Sequence, residues 1–398
     1  MTPAARVQAA IECLDQIIGA ARDGGAAADT LIARYFATRR YAGSKDRRAV
    51  RDLVYEVVRS IGERPDSGRA ALIGHASAHA PELLSAFGGD GHAPASLADD
   101  EAGAPVAEAP GWLVERLERR FGADTPVEVA ALLGRAPLDV RVNTLRATHN
   151  ELLAALPEFA ATRFAPGGLR ALQPFAVEAS PAFHAGQIEI QDEGSQLVAL
   201  ACGAAPGETV VDLCAGAGGK TLALAAAMAN DGRLIAADTD RGRLDRLAPR
   251  AARAGATIIE PRLLNPAREW EMLHDLDRAA DLVLIDAPCS GTGTWRRNPE
   301  ARWRLTPARL DRLTTEQARL LDLGSRLVKP GGRLVYVVCS LLPEEGEGQL
   351  AAFHRGHPGW EPLPFDIPTE AQPIAAAVLT PLRHGCDGFY IARLMRVC

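Results

Sequence analysis

Apolar positions along this chain recur first at helical spacing and later as short solid runs. Val7, Ile11, Leu14, Ile17 and Ile18 form one stripe, and Val50, Leu53, Val54, Val57 and Val58 form another. Steps of three and four residues put each set on one face of a helix. Between them, RYAGSKDRR breaks the period at Gly43 and Ser44, and Ser44 is placed to cap the second helix. From about Ser60 to Pro110 the chain is rich in Ala, Gly, Pro, His and Asp, which predicts short helices and loops. Trp112, Leu113, Leu117 and Phe121 restart a helix that Gly122 ends.

The pattern then changes. PLDVRVNTLRAT (Pro137–Thr148) predicts a short strand, followed by a helix capped by Thr148 and running through Leu156. A strand over Ile188–Gln191 precedes a helix from about Asp192, making this part a small α+β piece. From Gly207 the rhythm is strand, turn, helix, repeated. Strands are predicted at Thr209–Leu213, Arg233–Ala237, Thr257–Glu260, Leu282–Ile285 and Arg333–Val338. Apolar strands alternating with helices imply a mostly parallel sheet covered on both faces, an α/β fold. The closing TPLRHGCDGFYIARLMR predicts a hairpin with Phe389–Leu394 as its second arm.

With 398 residues, two or three domains are expected. No apolar run approaches the ~18 residues of a membrane span. The N-terminal stretch meets Glu12 and Asp15 too early for a secretory signal, so a cytoplasmic protein without membrane attachment is expected. The seven cysteines, Cys13, Cys202, Cys214, Cys289, Cys339, Cys386 and Cys398, are widely spaced and include no CxxC pair. Reduced thiols fit this spacing better than disulfides or a zinc site, and no metal is expected. The net charge of −6 argues against a uniformly basic nucleic-acid-binding domain. Its distribution is uneven, however. Arg34, Arg39, Arg40, Lys45, Arg47, Arg48 and Arg51 crowd one stretch; Arg296, Arg297, Arg302, Arg304, Arg309 and Arg312 crowd another.

ETVVDLCAGAGGKT follows the first strand of the α/β part and opens a helix. Gly216, Gly218 and Gly219 allow a sharp turn and close approach of a ligand. It is not a P-loop, which needs glycine where Cys214 stands, and the GxGxxG spacing also fails. The next strand ends in Asp238, close to the ~20-residue offset at which an acid accepts ribose hydroxyls. A glycine turn and a spaced acid without a phosphate motif make S-adenosylmethionine a good candidate, since it carries adenosine but no phosphates.

Cys289 and Cys339 each follow an apolar strand, in LVLIDAPCSGTG and LVYVVCSLLPEE. Parallel sheets bind ligands beyond the carboxyl ends of their strands, so both thiols should border the crevice of the glycine loop. Two inert buried cysteines would explain neither this shared position nor Asp286 beside Cys289.

DAPCSGTGTWRRNPEARW, LVYVVCSLLPEE and VVDLCAGAGGKT together resemble the RsmB (Fmu/Sun) family of RNA cytosine-5 methyltransferases. PLDVRVNTL, QDEGSQLVA and DGFYIARL extend the resemblance from about Pro137 to the C-terminus. RYAGSKDRRAVRDLVYEVVR is similar to the family's helical NusB-like RNA-binding domain. The resemblance implies a NusB-like domain over 1–125, a small α+β subdomain over 126–200, and a doubly wound, Rossmann-like class I methyltransferase domain over 201–398. The expected substrate is RNA, that of the small ribosomal subunit, and a monomer is expected. Cys214, Ala215, Gly216, Ala217, Gly218, Gly219, Lys220, Asp238 and Asp286 are then the expected cofactor contacts.

The same resemblance implies that Cys339 is the nucleophile and that Cys289 assists product release. Carbon 5 of cytosine is a poor nucleophile. A thiolate adding to carbon 6 makes the ring enamine-like, so that carbon 5 attacks a sulfonium methyl. A free thiol titrates near ~8.5, so nearby positive charge should favour the thiolate, with Arg296 or Arg297 as candidates. Asp286 suits the cytosine edge, where an apolar crevice would keep it able to share a proton. Cys289 or water would take the proton from carbon 5. The arginines of 296–312 are candidates for phosphate contacts at the rim. Trp295 and Trp303 are candidates for base stacking, with burial at a helix interface the alternative.

One stretch departs from the family pattern. An acid usually follows the third strand near the adenine, where this chain has TIIEPRLLNP, with Arg262 or Asn265 nearby. That feature favours a rival reading, a non-catalytic RNA-binding assembly factor, whereas retention of both thiols disfavours it. A methyltransferase for transfer RNA or a small molecule is a second rival.

Overall fold

The helical stripes of the N-terminal region are met by α1 (Pro3–Asp23), α2 (Ala28–Ala37), α3 (Ser44–Ser60) and α4 (Gly68–His79). They are followed by α5 (Gly111–Phe121) and α6 (Thr125–Leu133). The computed structural model describes residues 1–397, so Cys398 lies outside the described residues. The chain divides into one unit of Met1–Arg135 with Thr294–Pro307, and another of Ala136–Gly293 with Ala308–Cys398.

In the first unit, Val7, Ile11, Leu14, Ile17 and Ile18 of α1 are buried against Val50, Val54, Val57 and Val58 of α3. Thr2 caps α1 by accepting from Ala5 N at 3.1 Å, and Gly24 ends it at φ 78°. Ser44 does not cap α3: Gly43 takes the capping position, without a side chain to accept, and Ser44 is the first residue of the helix.

The segment 294–307 corrects the sequence reading. Trp295 and Trp303 are 0% and 2% exposed, so neither offers a face for stacking on a base. Trp303 packs into the helical core, and its indole N–H donates to Ile61 O at 2.8 Å. Arg302 is fully buried and donates to the carbonyls of Val58, Arg59 and Ile61 at the C-terminus of α3. Arg304 donates to Gly25 O and Ala26 O beyond α1. These guanidiniums satisfy carbonyls left open at helix ends, which is a structural use of arginine.

In the second unit a small antiparallel sheet comes first. It contains β1 (Asp139–Val142), β2 (Phe159–Ala161), β3 (Gly168–Ala171) and β4 (Ile188–Ile190), in the order β2-β3-β1-β4. Thr148 and Glu151 form a capping box on α7 (His149–Ala155). α8 (Pro181–His184) precedes β4, and Asp192 caps α9 (Glu193–Cys202), which leads into the larger sheet.

That sheet holds β5 (Thr209–Asp212), β6 (Arg233–Asp238), β7 (Ile259–Leu263), β8 (Ala280–Asp286) and β9 (Val328–Val338) in parallel. β10 (Trp360–Pro362), β11 (Ala376–Leu379) and β12 (Phe389–Arg396) complete it. The order is β10-β12-β9-β8-β5-β6-β7, with β11 also pairing β12. From β5 the chain winds outward to β7, then returns to the other side of β5 as β8. This is the expected doubly wound sheet, and its switch point lies between β5 and β8, where such sheets bind ligands.

Two details differ from the sequence reading. β7 begins at Ile259 and not at Thr257, because the left-handed Gly255 ends the preceding helix and the next three residues complete the turn. The first arm of the final hairpin is Ala376–Leu379, since TPLRH forms a short helix capped by Thr380.

Candidate active site

Every element needed for a site at the switch point ends there. The glycine loop leaves β5 and enters α10 (Gly219–Ala227), with Gly216 and Gly218 at φ 55° and 82°. A β-carbon on Gly218 would sit 2.1 Å from Leu247 Cδ1, so this left-handed turn accepts glycine alone without rearrangement. Asp238, at the end of β6, fixes the loop: its carboxylate accepts from Gly216 N and Asp240 N, each at 2.7 Å.

A cleft of about 290 Å³ opens here. Cys214, Asp238, Asp286, Cys289 and Cys339 line it, as do Leu213, Leu264 and Leu320. The expected residues Ala215, Gly216, Ala217, Gly218, Gly219 and Lys220 stand behind this wall. Lys220 reaches it through Asp286, donating to Oδ2 at 2.7 Å. Asp240, Arg243, Glu269, Glu316 and Arg319 also line the cleft and were not singled out from the sequence. They come from loops and helices whose charged residues read like any solvated face.

The two sulfurs are brought together. Cys289 follows β8, Cys339 follows β9, and their Sγ atoms are 3.3 Å apart in a thiol–sulfur hydrogen bond. The register of the sheet produces this, since Asp286 pairs with Val337. The hydrogen bond to Cys339, then burial, push the Cys289 thiol well above its ordinary range; the charges of Cys339 and Glu345 add to this. Among the described residues every cysteine is a free thiol.

Lys220 is the cation paired with Asp286, whereas Arg296 and Arg297 belong to the helical unit. Burial opposes the Lys220 charge, but the charge and hydrogen bond of Asp286, with Cys339, outweigh it and hold the ammonium above its ordinary value. Asp286 therefore lies in an ion pair and not in the apolar crevice expected from the sequence.

Behind the loop, Asp212 is 1% exposed, with Oδ2 accepting from Thr221 Oγ1 at 2.7 Å and Oδ1 without a partner. Burial pushes its carboxyl up to about 7 from 3.8. The folded state thus holds this proton more tightly than the unfolded chain. The stability linked to it is fully present below about pH 4 and is lost as pH rises through about 7. Asp212→Asn keeps the shape without the charge. It is expected to flatten the fall in melting temperature across that window, whereas a profile unchanged by the substitution contradicts the assignment.

The departure after the third strand also takes a definite form. Arg262 turns out of the cleft to pair with Asp275 at 2.6 Å, and Leu264 stands at the wall. Arg319 is held by both oxygens of Glu269 at 2.7 and 2.8 Å, and by Glu316. The wall thus offers apolar surface for a ring and five carboxylates, Asp238, Asp240, Glu269, Asp286 and Glu316, against two guanidiniums, Arg243 and Arg319, a balance that suits hydroxyls and a cation better than phosphate. S-adenosylmethionine, a cationic nucleoside without phosphates, fits this donor set.

A family model described as "16S rRNA methyltransferase RsmB/F" matches residues 199–395. A second, the RsmF/B-like ferredoxin-like domain, matches residues 109–178. "Probable ribosomal RNA small subunit methyltransferase B" of Synechocystis sp. is 36% identical over 301 residues, 72% of this chain and 66% of that protein. "Ribosomal RNA small subunit methyltransferase B" of Pasteurella multocida is 35% identical over 295 residues, 72% of this chain and 65% of that protein. The chain thus spans about two thirds of the length of these curated relatives. A solved "Methyltransferase Homolog Protein" from Pyrococcus horikoshii is similar with a TM-score of 0.62 and 30% identity, over 72% of this chain and 94% of that one. On these matches, the chain belongs to the RsmB/F methyltransferase family.

Proposed function

We propose that this protein transfers a methyl group from S-adenosylmethionine to carbon 5 of a cytosine in RNA, that of the small ribosomal subunit, through a covalent adduct with Cys339. The observation that carries the reading is the pair of sulfurs 3.3 Å apart at the switch point, beside an ammonium–carboxylate pair. A scaffold has no need of two thiols at the mouth of a cofactor cleft.

S-adenosylmethionine, when bound, supplies an electrophilic methyl group on a sulfonium. The Cys339 thiolate, with the Lys220 ammonium close by, forms a bond to carbon 6 of the cytosine. The electron pair displaced to carbon 5 takes up the methyl group. Asp286 and Lys220 face the ring edge, where they hydrogen-bond it and share a proton as charge moves onto the ring. Cys289 then removes the proton from carbon 5, and the bond between Cys339 and carbon 6 breaks.

The electrostatics support this division of labour. Cys289 is kept protonated chiefly by its bond to the Cys339 sulfur and by burial, with the Cys339 charge adding to them. Once Cys339 is a thioether its charge is gone, and its sulfur is a weak acceptor. Cys289 then loses its proton to water more readily, and the resulting thiolate is the base that takes the carbon-5 proton.

Trapping the adduct tests this. Cys289→Ala, incubated with unmodified small-subunit RNA and S-adenosylmethionine, is expected to accumulate an RNA–protein complex that survives denaturing electrophoresis. Multiple turnover is expected to fall about tenfold or more. The double variant Cys289→Ala/Cys339→Ala is expected to form none. Absence of the complex in the single variant, or its presence in the double, contradicts the covalent route.

A further inference from the structure

Glu345 is fully buried, lies outside the cleft, and has no part in the chemistry above. It follows Cys339 by six residues in LVYVVCSLLPEE. Its carboxyl group gathers four donors. Oε1 accepts from Ser290 N at 2.8 Å and Gln317 Nε2 at 2.9 Å. Oε2 accepts from the hydroxyls of Ser290 and Ser340, the latter at 2.5 Å. Ser290 and Ser340 are the residues directly after Cys289 and Cys339.

Further bonds tie the same loops. Thr292 Oγ1 lies 3.1 Å from Ser340 Oγ and accepts from Leu341 N at 2.8 Å. Gly293 N donates to Cys339 O at 3.0 Å. The Glu345 carbonyl accepts from Tyr336 OH, on β9, at 2.7 Å. Thus the residue beside each sulfur donates to one carboxyl group, and the backbone of the residue that carries it is anchored to the sheet.

We propose that Glu345 is a positioning residue, which holds the Cys289 and Cys339 loops in register so that the two sulfurs act on one base. The inference rests on the reading that both sulfurs serve one reaction. A role in stability alone fits less well. Burying a carboxyl group is costly, and apolar side chains fill such space at least as well. These four donors, by contrast, converge where two loops must agree to a fraction of an ångström. The Glu345 charge also adds to the forces that keep Cys289 protonated.

The test compares wild type, Glu345→Ala and Glu345→Gln in the full chain. The first readout needs neither RNA nor cofactor. It is the rate at which diamide, by taking two hydrogens, joins Cys289 and Cys339 in a disulfide, followed by peptide mass. The second is the split between kcat and KM. Glu345→Ala is expected to slow disulfide closure about tenfold and to lower kcat about ten- to a hundredfold, with the cofactor KM within about twofold. Glu345→Gln, which keeps one acceptor oxygen, is expected to recover most of both.

Closure and kcat within about twofold of wild type in Glu345→Ala would overturn the proposal. So would equal losses in both variants that follow melting temperature alone. If Glu345→Ala does not fold, Ser290→Ala/Ser340→Ala removes the two loop hydroxyls and leaves the carboxyl group with its remaining donors; slowed closure supports the proposal and unchanged closure overturns it. Wild type that closes the disulfide but methylates no cytosine would sink the proposed function, while the closure rates would still decide the role of Glu345.

Discussion

Cys339→Ala is expected to lower methyl transfer by at least about a thousandfold while leaving S-adenosylmethionine bound. On the proposed route, no sulfur means no addition to carbon 6, and carbon 5 remains too poor a nucleophile to take a methyl group. The part of the cleft wall formed by Cys214, Asp238 and Leu264 does not include that side chain. The loss should therefore fall on kcat, with the cofactor dissociation constant unchanged within about twofold. Single-turnover kinetics with labelled cofactor, alongside calorimetric titration, separate the two. Comparable rates for Cys339→Ala and wild type would show that another group is the nucleophile. A large loss in Cys289→Ala with none in Cys339→Ala would reverse the assignment of the two sulfurs.

Lys220→Ala is expected to cost about a hundredfold in kcat, the next largest effect. The ammonium sits 2.7 Å from Asp286, is held charged by it and by Cys339, and is largely buried, so bulk water replaces it poorly. Its removal takes the cation from beside the attacking thiolate and leaves Asp286 unpaired. Two readouts distinguish these consequences. Alkylation of Cys339 by iodoacetamide at neutral pH should slow in Lys220→Ala. Adding Asp286→Asn should recover melting temperature without recovering rate. A variant with unchanged alkylation and kcat would remove Lys220 from the mechanism.

The sequence made the centre of the site legible because its constraints are local. A left-handed turn asks for glycine, as at Gly216 and Gly218, and apolar runs mark β5, β6, β8 and β9. The cysteines could be placed at one crevice because parallel strands end on the same edge of a sheet. What stayed hidden depends on where long polar side chains turn. Arg302 and Trp303 have the composition of an RNA-binding rim, yet they close helix ends and fill the core of the helical unit. Nothing in the spacing of RRNPEARWR separates these uses. Lys220 read as part of a cofactor loop, and its pairing with Asp286, at the end of a strand 66 positions away, emerges only from the sheet order. Glu345 was visible inside a motif, but its four donors lie in three separate segments. After β7, Leu264 lines the cleft wall and Arg262 pairs with Asp275, so the unusual third-strand motif adds no cation to the cleft lining.

The central claim is the identity of the methylated atom. The most direct measurement is transfer from methyl-labelled S-adenosylmethionine to small-subunit RNA lacking its native modification, with digestion and separation of the nucleosides. The account predicts label in 5-methylcytidine with wild type and none with Cys339→Ala. Label in any other nucleoside, or none with wild type across several RNA pools, would contradict it.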